Sequence, residues 1–85
     1  MPTHNHVLST SSQLGQILQA SRKSKKWSQA QLANKLGLSQ SRVSHLELHA
    51  EELSFAQLIN WCAVLGLELS VGLRDTHAEQ TLTDW

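Results

Sequence analysis

The stretch from Ser28 to Glu47 restricts the fold more than any other: Ser-Gln-Ala-Gln-Leu-Ala-Asn-Lys-Leu-Gly-Leu-Ser-Gln-Ser-Arg-Val-Ser-His-Leu-Glu. Leu32, Ala33 and Leu36 recur at helical spacing after Ser28, and Gly37 supplies the residue type that ends helices in a left-handed conformation. Only Leu38 then separates Gly37 from Ser39, itself a helix-capping residue followed by Val43 and Leu46 at helical spacing. With no room for a loop, two short helices must meet at a sharp turn. Ala33 is small where they cross, and Val43 and Leu46 anchor the second helix, Gln40 to about Leu48, to the rest of the chain.

The flanking segments repeat one helix-start pattern. Thr10-x-x-Gln13, Ser28-x-x-Gln31 and Ser54-x-x-Gln57 each pair a capping hydroxyl with a Gln that can reach back to the cap's own N–H. After Thr10, the stripe Leu14, Ile17, Leu18 predicts a helix that fades near Ser24, where Arg22, Lys23, Lys25 and Lys26 crowd together. Trp27 and Leu32 hold the positions of a hydrophobic staple. Glu51, Glu52 and Leu53 are expected to form a loop. The fourth helix is predicted from Ser54 to Leu65, with Leu58, Ile59, Cys62 and Leu65 as its apolar face and Gly66 as its stop. Cys62, among Trp61, Ala63, Val64 and Leu65, reads as a core thiol with no base spaced to activate it.

Beyond Gly66 the period changes to two. Leu67, Leu69, Val71 and Leu73 alternate with Glu68, Ser70 and Gly72, the pattern of a half-buried strand. A lone strand has no partner for its backbone, so its expected mate is the same strand of a second copy. The fold class expected is therefore mainly α: a four- to five-helix domain over residues 10–74, with the 67–73 strand pairing across a homodimer. Residues 1–9 and 75–85 read as tails, the latter polar and ending in Trp85.

Composition bounds the rest. Eighty-five residues make one small domain, for which association is a usual aid to stability. No apolar run suits a bilayer, the first residues lack a signal-peptide layout, and a single cysteine fits a reducing compartment, so a cytoplasmic protein without membrane contact is expected. Net charge is zero but strongly segregated: no acid precedes Glu47, and all seven follow from there, opposed only by Arg74. Such a division allows a basic, polyphosphate-binding face on a neutral chain. The outward residues of the third helix, Ser41, Arg42, Ser44 and His45, are short and polar with one Arg, an inventory suited to base edges in a major groove.

The stretch from Ser28 to Glu47, with its capped flanks, resembles the Cro/C1-type repressors of the Xre helix-turn-helix family over roughly residues 10–66. That resemblance implies a lambda-repressor-like fold and a DNA-binding role. It places the base-reading positions on Ser39, Gln40, Ser41, Ser44 and His45. It puts Gln29 on phosphate and in support of Gln40, and it pairs Arg22 with Glu47 structurally. Lys23, Lys25, Lys26, Lys35 and Arg42 are then left for the phosphate backbone. Ser41 departs from the longer polar residue of some relatives, which weakens its direct contact. The end of the chain, Leu67-Glu-Leu-Ser-Val-Gly-Leu and an acidic tail closing on Trp85, is similar to HipB-type antitoxins. This narrower likeness implies a homodimer that represses its own operon at an inverted repeat and binds a HipA-like serine/threonine kinase, with Trp85 as a contact.

Two rival classes compete with this reading. The first is an enzyme. His45 and His49, at i and i+4, have a zinc-holding spacing that His4-x-His6 could join, but no Glu completes a His-Glu-x-x-His pattern. No catalysis, cofactor or metal is therefore expected. The second is an interaction module that kept the fold without DNA binding. Acids on the recognition helix would mark such a module, and none precedes Glu47. A stand-alone phage-type repressor without a toxin partner would fit the same DNA-binding residues.

Overall fold

The computed structural model describes residues 6–73. Among them the chain forms α1 (Ser11–Ser24), α2 (Gln29–Leu36), α3 (Gln40–Leu48), a single 3-10 turn (Ala50–Glu52) and α4 (Phe55–Leu65). His4, Arg74 and the Asp75–Trp85 tail, with the expected partner contact Trp85, lie outside the described residues.

Each of the three Ser/Thr-x-x-Gln segments closes as a reciprocal capping box. Thr10, Ser28 and Ser54 accept from the backbone N–H of Gln13, Gln31 and Gln57, whose side chains accept in return from the cap N–H. Two orphan amides are satisfied at each helix start, which fixes where α1, α2 and α4 begin. Their ends also share one geometry. An N–H just beyond each helix reaches back five residues to a carbonyl: Trp27 to Arg22, Leu38 to Ala33 and Leu67 to Cys62, at 3.2, 2.9 and 2.8 Å. Gly37 and Gly66 take the left-handed conformation this requires, at φ 73° and 75°; at the end of α1 it is Lys26, at φ 62°, that does so.

Leu18, Leu32, Val43 and Leu46 are fully buried, with Trp61, Leu65 and Ala33 completing the core. Leu14, Trp27, Leu36, Leu38, Leu53, Val64 and Leu67 close its edges. α3 packs on both α1 and α2, and α4 closes the other side against the same two helices. Gly15 lets α1 approach α3 closely: a methyl group there would collide with the carbonyl oxygen of Glu47.

Two expectations are corrected. The buried face of α4 is centred on Trp61, Cys62 and Leu65 rather than on Ile59, which is 44 % exposed beside an outward Phe55. Two residues along a helix are about 200° apart around its axis, so Trp61 and Ile59 fall on nearly opposite sides. Glu51 and Glu52 do not form an open loop; with the buried Ala50 they make a 3-10 turn packed on α1. The segment 67–73 forms no strand among the described residues. Leu67 and Leu69 are half-buried, while Val71 and Leu73 are 95 % and 62 % exposed. A strand is defined by its partner, and the described residues of one copy offer none.

Candidate nucleic-acid interface

The two helices α2 and α3 are locked from beneath by a buried polar network. Arg22, late in α1, donates through Nε to Glu47 Oε2 at 2.7 Å and through Nη2 to Glu47 Oε1 at 3.2 Å. Its Nη1 donates to the Trp27 carbonyl at 2.9 Å, and Gln29 Nε2 donates to Glu47 Oε1 at 3.0 Å. The two charged side chains are 8 % and 1 % exposed. Paired forks of this kind fix geometry as well as charge. One carboxylate thus ties together the end of α1, the start of α2 and the last turn of α3.

Above this frame, α3 presents its polar residues. Ser39, Gln40, Ser41, Arg42 and His45 are exposed and Ser44 is half-buried, whereas Val43 and Leu46 point wholly into the core. Ser39 caps the helix by accepting from the Arg42 N–H at 3.1 Å, and its hydroxyl lies 3.3 Å from that of Ser41. Ser39 thus has a structural task beyond any base contact. Neither α2 nor α3 carries an acid in its first turn, so the partial positive charge of each N-terminus is left for an outside anion.

The remaining expected contacts divide. Lys23, Lys26 and Arg42 are exposed and make no side-chain hydrogen bond or ion pair among the described residues. Lys25 and Lys35 instead stand over the ring of Trp27, at 5.4 and 4.6 Å from its centroid. Lys25 also lies close to Gly66, where its charge complements the C-terminal end of α4. The Gln29 amide group is directed to Glu47, and no hydrogen bond joins it to Gln40 among the described residues. His45 Nε2 lies 2.9 Å from Glu52 Oε1, both side chains being nearly half exposed. Sequence reasoning missed Glu52 as a neighbour of the exposed α3 residues; its signal was the shortness of the link between Leu48 and Ser54.

Cys62 is buried, and that burial pushes its thiol above the ordinary range, away from nucleophilic use. No helix among the described residues is long and apolar enough to cross a membrane.

A short helix, a left-handed glycine turn and a second helix held polar face outward define a helix-turn-helix protein, the class that places its second helix in a DNA groove. The family model described as a helix-turn-helix domain matches residues 3–74, and the chain belongs to that family of DNA-binding regulators. No curated protein matches the chain.

Proposed function

We propose that this protein is a sequence-specific repressor that binds an inverted-repeat operator as a homodimer, with α3 in the major groove. The observation that carries the reading is the exposed, acid-free row Ser39, Gln40, Ser41, Arg42 and His45 on a helix whose opposite side is locked by Arg22 and Glu47. Gln40, Ser44 and His45 read base edges, with Ser39 and Ser41 at the helix start. Lys23, Lys26 and Arg42 face phosphates, with Gln29 beside them at the start of α2 while its amide holds Glu47; Lys25 and Lys35 contribute through the same field while resting on Trp27. Nothing in this reading calls for catalysis.

The dimer is supported by the exposed apolar side chains of Val71 and Leu73 beyond the helical body, which a second copy of the 67–73 segment would cover. Twofold symmetry then sets half-sites about one helical turn apart, roughly 34–36 Å, or a multiple of that. Within the family we place the chain with HipB-type antitoxins: the acidic second half is surplus to DNA binding, and the tail ending in Trp85 offers an aromatic anchor to a HipA-like kinase.

The test has two arms. A gel shift on the DNA upstream of the protein's own gene is expected to show a specific complex that scrambled DNA does not compete away. A pull-down with the product of the adjacent gene is expected to capture a kinase, less so after Trp85→Ala. A specific shift with no kinase captured leaves a stand-alone repressor, and no shift overturns the DNA-binding reading.

A further inference from the structure

At the end of α3 the chain assembles donors of a kind and spacing that the first helix-turn-helix contacts do not use. His49 ends the helix, and the 3-10 turn brings Glu51 and Glu52 back beside it. One ligand atom from each of the three lies within 4.8 Å of the other two. His49 Nδ1 and Glu51 Oε2 are 3.4 Å apart, long for a hydrogen bond. It is the separation of two ligands in a tetrahedral zinc site, about 3.4 Å for bonds of 2.0–2.2 Å. The His45 ring lies against that of His49, tilted by 32° with centroids 4.7 Å apart, and it holds Glu52 through the 2.9 Å contact.

The backbone beneath these side chains is fixed. His49 N–H donates to the His45 carbonyl at 2.8 Å, Glu52 N–H to His49 at 3.0 Å and Leu53 N–H to Ala50 at 3.0 Å. Ala50 is buried where the turn meets Gly15 of α1. Three exposed donors on a fixed backbone need only side-chain rotations to close on an ion, and the metal–ligand bonds must exceed the rotamer freedom those side chains lose.

We propose that His49, Glu51 and Glu52 bind one divalent transition-metal ion, with His45 as the outer partner that orients Glu52. Imidazole nitrogen with two carboxylates suits zinc and its neighbours Ni²⁺ and Cu²⁺, and three protein ligands leave a position for water. The i, i+4 histidines alone do not show this site, because its carboxylates come from the turn. A regulatory consequence follows, resting on the reading of α3 as the recognition helix. The Glu52 carboxylate sits against a base-reading residue and there opposes DNA phosphate; a bound cation neutralises it and tightens DNA binding.

The experiment is a titration of the full chain with Zn²⁺ against a chromophoric chelator, without DNA. One ion per chain is expected. The His49→Ala variant and the Glu51→Gln/Glu52→Gln variant are expected to lose it, and His45→Ala to weaken it about tenfold or more. All these positions are exposed, and circular dichroism verifies that each variant is folded. No uptake overturns the site, as does uptake retained by His49→Ala and lost by His4→Ala/His6→Ala. In the second arm, Zn²⁺ is expected to tighten operator binding by about fivefold or more in the native protein and not in Glu51→Gln/Glu52→Gln. Metal uptake with unchanged DNA affinity overturns the coupling. Absence of DNA binding with and without Zn²⁺ overturns the reading of α3 and leaves the metal titration to stand by itself.

Discussion

Glu47→Ala removes the acceptor of three of the four hydrogen bonds in the buried network, those from Arg22 Nε, Arg22 Nη2 and Gln29 Nε2. The Arg22 guanidinium stays buried, 8 % exposed, with the Trp27 carbonyl as its one remaining acceptor among the described residues. Stranding a charge in this way costs about 3–5 kcal/mol, most of it desolvation that nothing now offsets. A chain of this length is stable by only about 4–13 kcal/mol at 0.05–0.15 kcal/mol per residue, so the loss consumes a large share. At about 4–8 °C per kcal/mol for a domain this small, a 4 kcal/mol loss lowers Tm by roughly 16–32 °C. Urea denaturation of Glu47→Ala, Arg22→Met and the double variant Arg22→Met/Glu47→Leu forms the assay. The double variant is expected to recover much of the loss, because no charge remains buried without a partner. A Glu47→Ala loss under about 1 kcal/mol would refute the reasoning, since surface pairs have that magnitude.

Further outcomes follow from the packing. Trp61→Ala is expected to cost about 3–5 kcal/mol, and Trp61→Phe far less, because the indole Nε1 is buried without a partner among the described residues and its loss removes a desolvation penalty; equal losses by urea denaturation would contradict this. Gly15→Ala, although it improves helix propensity by up to about 1 kcal/mol, is expected to destabilise by about 1–2 kcal/mol net, since its methyl meets the Glu47 carbonyl. A rise in Tm for that variant would show that α1 can back away from α3 freely. Val71→Asp, a change at a 95 % exposed residue, is expected to leave the helical body folded and to convert a dimer to a monomer in sedimentation; an intact dimer would move the interface to the helices.

Much of the helical architecture was legible in the residues themselves. A hydroxyl followed three residues later by Gln states a helix start locally, and Gly37 with Ser39 states the turn, because both signals act on backbone groups within one helical turn. What depended on distant neighbours was not legible. Ile59 and Trp61 are both apolar, and only the position of α1 and α2 decides that Trp61 fills the core. Gly15 carries no local signal, since its role is set by the approach of the Glu47 carbonyl. Lys26 takes a left-handed conformation in a place where Gly is usual, so composition hid that helix end. The exposed residues of α3 were visible as an outward polar row, but the meeting of Arg22 with Glu47 came from family resemblance, and that of Glu52 with His45 came only from the folded chain.

The most direct measurement is the affinity of the native protein and of Gln40→Ala for the operator and for scrambled DNA of equal length, at one fixed salt concentration. Gln40 is exposed at the start of α3 and serves no hydrogen bond of the fold among the described residues, so its loss leaves stability alone. As a base reader it is worth about 1–3 kcal/mol, or roughly 5- to 150-fold on the operator, with binding to scrambled DNA unchanged. Equal weakening on both DNAs, or none on either, would contradict the placement of α3 in the major groove.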